Sequence, residues 1–311
     1  MGYAPISEKI SLNVSMVEAP AVQKPFASNR DYEACRRLHR QFGTTYYFAT
    51  LRFPRRLRKR VHAVYGFVRI PDEWVDNPEN LTRRQQWTKL QEYRKEFLLG
   101  LEGVPPESRV LRAFCDVCRE VQMPVEEPEL FLDAMEDDLS IDRYATYGAL
   151  REYMRGSAAA VGLMMCHAFE VPLTEEIKSA AIALGEAMQM TNFLRDVGED
   201  LKRARIYLPA EDLESFALST VDLPVAPEDS EKWACWKRLM QFEIERTRAL
   251  YRASDAGIAL LPNHLKRPVK LARILYGRIL DRIEANGYDV FSKRARTGKL
   301  EKLACAVRLG R

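Results

Sequence analysis

The chain has 311 residues, 47% of them hydrophobic, with 48 Lys plus Arg against 44 Asp plus Glu and a formal net charge of +4. That apolar share is ample for a core, the mild charge excess gives no nucleic-acid footprint, and no composition shift marks a second unit. No run approaches the roughly 18 apolar residues of a membrane-crossing helix; the nearest, Ala158 to Met165, is short and broken by Gly162.

Residues 1–27 carry no helical apolar pattern and no charged-then-apolar secretory signal, so a flexible tail and a cytoplasmic protein are expected. In that compartment the six cysteines stay reduced. Cys115 and Cys118 form a C-x-x-C, but no second pair or clustered histidine completes a zinc site. His39, His62, His167 and His264 stand in no catalytic constellation.

Ser28 and Asp31 fit a capping box, so a helix begins near residue 29 and turns Cys35, Leu38 and Phe42 inward. A Thr-Tyr corner follows at Thr44 to Tyr47. Arg55 to Arg60 (RRLRKR) opens the next helix as a solvated or lipid-facing basic run, Arg58 being its one candidate for a phosphate contact. From Tyr65 to Glu79 (YGFVRIPDEWVDNPE), Tyr65, Arg69, Asp72 and Asp76 recur at spacings of three and four and share one helix face. Pro71 removes one hydrogen bond there and is expected to kink the helix.

Leu81 to Gly100 and Glu107 to Val121 read as scaffold helices, the first with Trp87, Leu90, Tyr93 and Phe97 on its inner face. Prolines at 105, 106, 124 and 128 punctuate the connections. Leu130 to Tyr144 reads as a helix whose Asp133, Glu136 and Asp137 are structural or support neighbouring site residues from behind. Gly156 to Gly162 (GSAAAVG) is a small-residue run that permits close helix packing or leaves room for a long apolar ligand. Ser179 to Asp200 is one long helix ending in TNFLRDVGEDLKRARIYLP, where Asn192, Asp196 and Asp200 are spaced four apart with Gln189 a turn earlier. Arg195 and Glu199, on the neighbouring face, are expected to pair with each other and leave the acids free. Val221 to Glu231 is a Pro-rich surface loop, and Trp233 to Leu261 and Leu265 to Asn286 are helical. The basic tail from Ser292 to Arg311 reads as a solvated terminal helix, a membrane-surface helix being the alternative. No strand alternation rises above noise, so the fold class is all-α.

A lone D-x-x-x-D pair is usually a solvated helix face. Two such pairs, each set in apolar sequence beside an Arg or amide, point instead to a hard divalent cation, because carboxylate and amide oxygens suit Mg²⁺, which also accepts phosphate oxygens. The candidate metal ligands are Asp72, Asp76, Asn192, Asp196 and Asp200. Tyr65, Arg69, Gln189 and Arg195 lie beside them as candidate substrate-binding groups.

The stretch from Gln189 to Pro209 resembles the second aspartate-rich motif of the squalene and phytoene synthases. Tyr65 to Asp76 resembles the first, and Thr45 to Tyr47 the aromatic segment upstream; weaker similarity runs from about residue 30 to 295. The resemblance implies an isoprenoid synthase fold, a single helical bundle around a central cavity over residues 28–311. It implies Mg²⁺-dependent head-to-head prenyl transfer, with Mn²⁺ as a substitute. Thr45 and Tyr46 would border the diphosphate and the reacting carbons, Arg205 would close over the diphosphate on a flap, and Tyr276 would face it. Met154 and Arg155 depart from the family pattern, which puts the detailed pocket shape in doubt.

By that resemblance, one prenyl diphosphate ionises and its allyl cation is attacked by a second molecule, giving a cyclopropylcarbinyl diphosphate that ionises in turn. Proton loss then gives phytoene from two geranylgeranyl diphosphates, as in carotenoid biosynthesis. Hydride capture from NADPH gives squalene from farnesyl diphosphate; dehydrosqualene is the other C30 product. D-V-G-E-D followed by R-I-Y-L-P is most similar to the phytoene synthases. A non-catalytic membrane adaptor is the distant alternative, opposed by the intact acids; a peripheral membrane contact is compatible with either reading.

Overall fold

The computed structural model describes residues 24–77 and 81–310, so residues 1–23 of the expected tail lie outside the described residues. The amides of Phe26 and Ala27 donate to the Asp116 carboxylate at 2.9 and 2.8 Å, which ties the chain down just before its first helix. That helix, α1 (Asn29–Phe42), begins at the expected capping box, with the Ser28 amide donating to Asp31 at 2.8 Å.

The next elements are α2 (Thr44–Thr50), α3 (Arg55–Asp76), α4 (Arg83–Leu101), α5 (Arg109–Val121) and α6 (Glu126–Asp137). α7 (Tyr147–Met154) runs through a π-helical turn at Arg155–Ala159 into α8 (Ala160–Ala168). α9 (Glu175–Lys202) and α10 (Ala210–Ser215) are followed by α11 (Ser230–Leu260), α12 (Asn263–Ala285) and α13 (Lys299–Gly310). Among the described residues there is no strand, only one isolated bridge between Arg143 and Ile206.

Three expectations shift. The long helix expected from Ser179 begins at Glu175, capped by Thr174. The helix expected over Leu130 to Tyr144 starts earlier and stops at Asp137, because Ser140 to Tyr144 leaves it to meet the segment after α9, where the Ile206 amide donates to the Asp142 carbonyl at 2.9 Å. Trp87 is half exposed, while Leu90, Tyr93 and Phe97 are buried as expected. Pro71 sits buried inside α3, which remains one helix from Arg55 to Asp76.

The larger apolar cluster joins α1 and α3–α8, with Phe67 stacked on Phe114 at 4.0 Å. A second cluster forms where α9 packs along α11 and α12, around Trp236, Leu239 and Leu280. α9 is shared: Met190 and Phe193 enter the first cluster, Leu194 and Val197 the second. Burying two flanks of α9 leaves a third face for the cavity between the clusters.

The cysteines are free and all but Cys305 are buried; the Cys115 thiol donates to the Phe97 carbonyl, which fits the structural reading of the C-x-x-C. Arg60 of the basic run is buried and held by Glu120 and Glu170. Arg58 is not in the cavity wall, so its candidate phosphate contact is not supported.

Candidate active site

A cavity of about 810 Å³ runs through the bundle, walled chiefly by residues of α2, α3, α8, α9 and α12, with α1, α6, α7, α11 and α13 contributing the rest. Its α9 wall extends from Ile177 to Asp200, a length of about 35 Å at the helical rise. The Asp200 end is polar and the Ile177 end apolar, with Val161, Gly162, Met165, Leu184, Val269 and Ala272 lining that half. The small-residue run packs closely against α9 and also lines the cavity. An added Cβ at Gly162 or Gly185 would stand 2.6 Å from the carbonyl oxygen of Ala181 or Ala158, so the backbones touch there, and the same residues line the cavity.

At the polar end both ladders enter the cavity wall: Asp72 and Asp76 from α3, and Asn192, Asp196 and Asp200 from α9. Tyr65, Arg69, Gln189, Arg195 and Tyr276 line it with them, as do Thr45 and Tyr46 of α2. The Thr45 hydroxyl lies 3.3 Å from that of Thr297. The Asn192 amide donates to Gln189 at 3.3 Å.

Each acid is engaged by a guanidinium. Arg69 donates to Asp72 and to Glu73 and lies against the Phe42 ring at 4.3 Å. Arg205, at the end of the loop after α9, donates to Asp76 at 2.6 Å and to the Asp138 carbonyl at 3.0 Å, linking the second motif to the first. Arg203 approaches Asp200 at 3.6 Å. Arg195 donates to its neighbour Asp196 at 2.7 Å. The expected Arg195–Glu199 pair is therefore a correction: Glu199 pairs with Arg294 at 3.1 Å instead, and the cavity supplies Arg195 with a buried carboxylate closer than the next turn of the helix.

Arg294 is the functional group that sequence reasoning missed. It donates twice to Asp196 at 2.8 Å, from a segment read only as a basic tail. Tyr153 was missed as well. Its hydroxyl donates to Asp138 at 2.7 Å, beside Tyr207, which stacks on Phe193 at 4.1 Å. Its place three residues before Gly156, on the helix that opens the small-residue run, was the available signal. Met154, by contrast, is fully buried and Arg155 pairs with Glu127 at 2.8 Å; neither lines the cavity, so the departure from the family pattern there leaves its wall untouched.

The electrostatics record crowding of like charge. Desolvation and the Asp76 carboxylate push Asp72 up to about 7, against the opposing pull of Arg69. Desolvation, Asp196 and Asp76 push Asp200 up to about 8. Asp138 is raised to about 7 by burial, which Arg205 only partly offsets. Asp196 moves the other way, because the hydrogen bond and charge of Arg195 together with Arg294 outweigh its burial. Behind Tyr65, His39 stacks at 4.0 Å and its Nδ1 lies 3.0 Å from that of His62. Burial holds His39 well below the usual range and His62 at about 4, so both rings are neutral at pH 7.

Among the described residues no three acidic, histidine or cysteine side chains converge closely enough to hold a metal ion. The donor set nonetheless fits a hard divalent cation. It is all carboxylate and amide oxygen, and two of its acids are pushed up by burial and by neighbouring carboxylates despite their arginine partners.

An all-α bundle around an elongated cavity with facing acidic helices is the architecture of the isoprenoid synthases. The squalene/phytoene synthase family profile matches residues 39–301. The phytoene synthase of Arthrospira platensis is 33% identical over 304 residues, covering 94% of this chain and 96% of that protein. The 15-cis-phytoene synthase of Synechocystis sp. is 35% identical over 305 residues, covering 94% and 88%. The crystal structure of a dehydrosqualene synthase superposes with a TM-score of 0.79 at 27% identity, covering 90% of this chain and 95% of that one. The chain belongs to the squalene/phytoene synthase family. It is accordingly a prenyltransferase that joins prenyl diphosphates head to head.

Proposed function

We propose that the protein condenses two geranylgeranyl diphosphates to phytoene in a Mg²⁺-dependent reaction, folded as one helical unit over residues 28–311. The observation that carries this is the polarity of the cavity: acids and guanidiniums at one end, and about 35 Å of helix away an apolar wall. Such a space suits an amphiphile with an anionic head and a long hydrocarbon tail. Curated relatives at 33–35% identity that are phytoene synthases favour the C40 product.

Asp72, Asp76, Asn192, Asp196 and Asp200 are the residues that would hold Mg²⁺, or Mn²⁺ in its place, which when bound neutralises the diphosphate as it departs. Arg69, Arg195 and Arg205 then exchange their carboxylate partners for phosphate oxygens, for which the guanidinium fork is well shaped. Tyr46, Tyr65 and Tyr276 present aromatic faces that stabilise an allylic cation without trapping it. Thr45 and Gln189 orient the head group. Burial raises Tyr46 and Tyr65 above the usual phenol range, so both stay neutral and un-nucleophilic. The apolar walls exclude the water that would convert the cation to an alcohol.

The likeness to a dehydrosqualene synthase structure supports a second reading, a C30 product from farnesyl diphosphate, with NADPH required only for squalene. Product analysis of the purified protein with Mg²⁺ and either diphosphate, with and without NADPH, separates the two. The expected result is a C40 hydrocarbon independent of NADPH. A C30 product as the main product would overturn the chain-length assignment.

A further inference from the structure

Behind the aromatic corner of the cavity lies a pair of histidines that the reaction described above does not use. His39 of α1 is fully buried and His62 of α3 nearly so. Neither belongs to the cavity wall, whereas Tyr46 and Tyr65, which His39 touches, both do. The His39 ring lies 4.0 Å from that of Tyr65 with 9° between their planes, and 5.3 Å from that of Tyr46.

Stacking alone sets the separation of two rings and leaves them free to slide and turn. Here further contacts remove that freedom. The His39 Nδ1 is 3.0 Å from the His62 Nδ1; burial keeps both rings neutral, so one nitrogen donates and the other accepts in the plane of its ring. His62 is stacked in turn on Tyr47 at 5.6 Å, and the Tyr47 hydroxyl accepts from Arg36 at 2.9 Å. The corner between α1 and α2 closes on both stacked rings, because a Cβ added at Gly43 would stand 2.8 Å from His39 Cδ2 and from Tyr65 Cε2. This arrangement leaves the buried His39 Nε2 without a hydrogen-bond partner. An apolar side chain would fill the space without that cost, so packing alone does not account for a histidine here.

We infer that His39 is a positioning residue for prenyl transfer: hydrogen-bonded to His62, it holds the Tyr65 ring at the angle from which that ring meets the allylic cation. With one face of Tyr65 covered by His39, only the other face and the ring edge remain for the cavity. A cation gains from an aromatic face only when it sits over the ring, within about 6 Å of its centre. A tilt of Tyr65 therefore weakens the contact at the step where charge develops and leaves the binding of the diphosphate by the arginines untouched. The inference rests on the role proposed for Tyr65, and not on which prenyl diphosphate the protein uses.

The test compares single-turnover rates and KM of the full chain with Mg²⁺ and farnesyl or geranylgeranyl diphosphate, whichever it turns over, the product reporting chain length separately. His39→Leu removes both the stack and the hydrogen bond and should slow the single turnover at least about tenfold, with KM changed less than about twofold. His39→Phe restores the stack alone and should recover part of the rate. Tyr65→Leu should also be slow, and adding His39→Leu to it should slow it no further, because a residue acting only through Tyr65 then has nothing left to hold. Should His39→Leu fail to fold, His39→Phe in the two backgrounds gives the same cycle. A folded His39→Leu with a lowered urea midpoint and an unchanged single-turnover rate would show a merely structural histidine and overturn the inference, as would losses that multiply in the double variant. Tyr65→Leu at the wild-type rate would sink the role proposed for Tyr65 and this inference with it; a slow Tyr65→Leu beside a normal His39→Leu would sink this inference alone.

Discussion

At the scale of single residues, the site is a cluster of crowded acids, each held by a guanidinium and two of them raised by burial and by one another. Asp72→Asn or Asp196→Asn should each reduce Mg²⁺-dependent turnover by at least about 10²-fold while leaving the fold intact. Near-normal turnover in both would remove the metal argument. The same crowding has a stability consequence. Asp200 is raised to about 8 and Asp72 to about 7, so the folded state holds protons that the unfolded chain has released. Stability from these two groups is fully present below pH 4 or so, the range of an ordinary aspartate, and is lost as pH rises through their folded values. His39 and His62 work oppositely, but only below their ordinary value of about 6.5. Between pH 6.5 and 8.5 the metal-free protein should therefore lose stability as the pH rises. Asp200→Asn should flatten that fall while lowering turnover, and Mg²⁺ should restore stability to the wild type. Denaturant midpoints across this range check it, and a metal-free wild type equally stable at both ends would contradict it.

Much of this cluster was legible from spacing alone. Four-residue steps put Asp72 with Asp76, and Asn192 with Asp196 and Asp200, on cavity-facing helix sides. Partners far apart in sequence were not legible. Arg294 lies 98 residues from Asp196, and nothing in a basic tail says which of its charges turns inward. The Arg195–Glu199 expectation failed for a related reason: helical geometry offers neighbours one turn away, but burial decided for Asp196.

At the scale of elements, a capping box marked the start of α1 at Ser28. The start of α9 was missed: Thr174 accepts from the Ile177 amide and opens the helix at Glu175, four residues before the expected Ser179. Ends set by tertiary contact were less visible, as where α6 stops at Asp137 so that Asp142 can pair with Ile206. The π-helical turn at Arg155–Ala159 also has no periodic signature, although it falls where Ser157 and Ala158 enter the cavity wall. The close approach of that π-helical turn to α9 supplies the prediction at this scale. Gly185→Val places methyl groups against the Ala158 carbonyl and in the cavity, and should destabilise the fold by about 1–3 kcal/mol. Urea unfolding measures this, and an unchanged midpoint would show that the helices can part without cost.

At the scale of the whole molecule, two apolar clusters share α9 and leave between them an elongated space with charge at one end. The fold class was plain in the sequence because helical periodicity covers most of it. The cavity was not, since its walls come from ten helices, from α1 to α13, whose contacts no local pattern encodes. The account turns on the two ladders acting together on one diphosphate, and the most direct test is the crystal structure of the protein with Mn²⁺ and a non-ionisable prenyl thiodiphosphate. Anomalous scattering should place manganese between the diphosphate and the carboxylates of both α3 and α9. A diphosphate held by the arginines alone, with no manganese at Asp72, Asp76, Asp196 or Asp200, would contradict it.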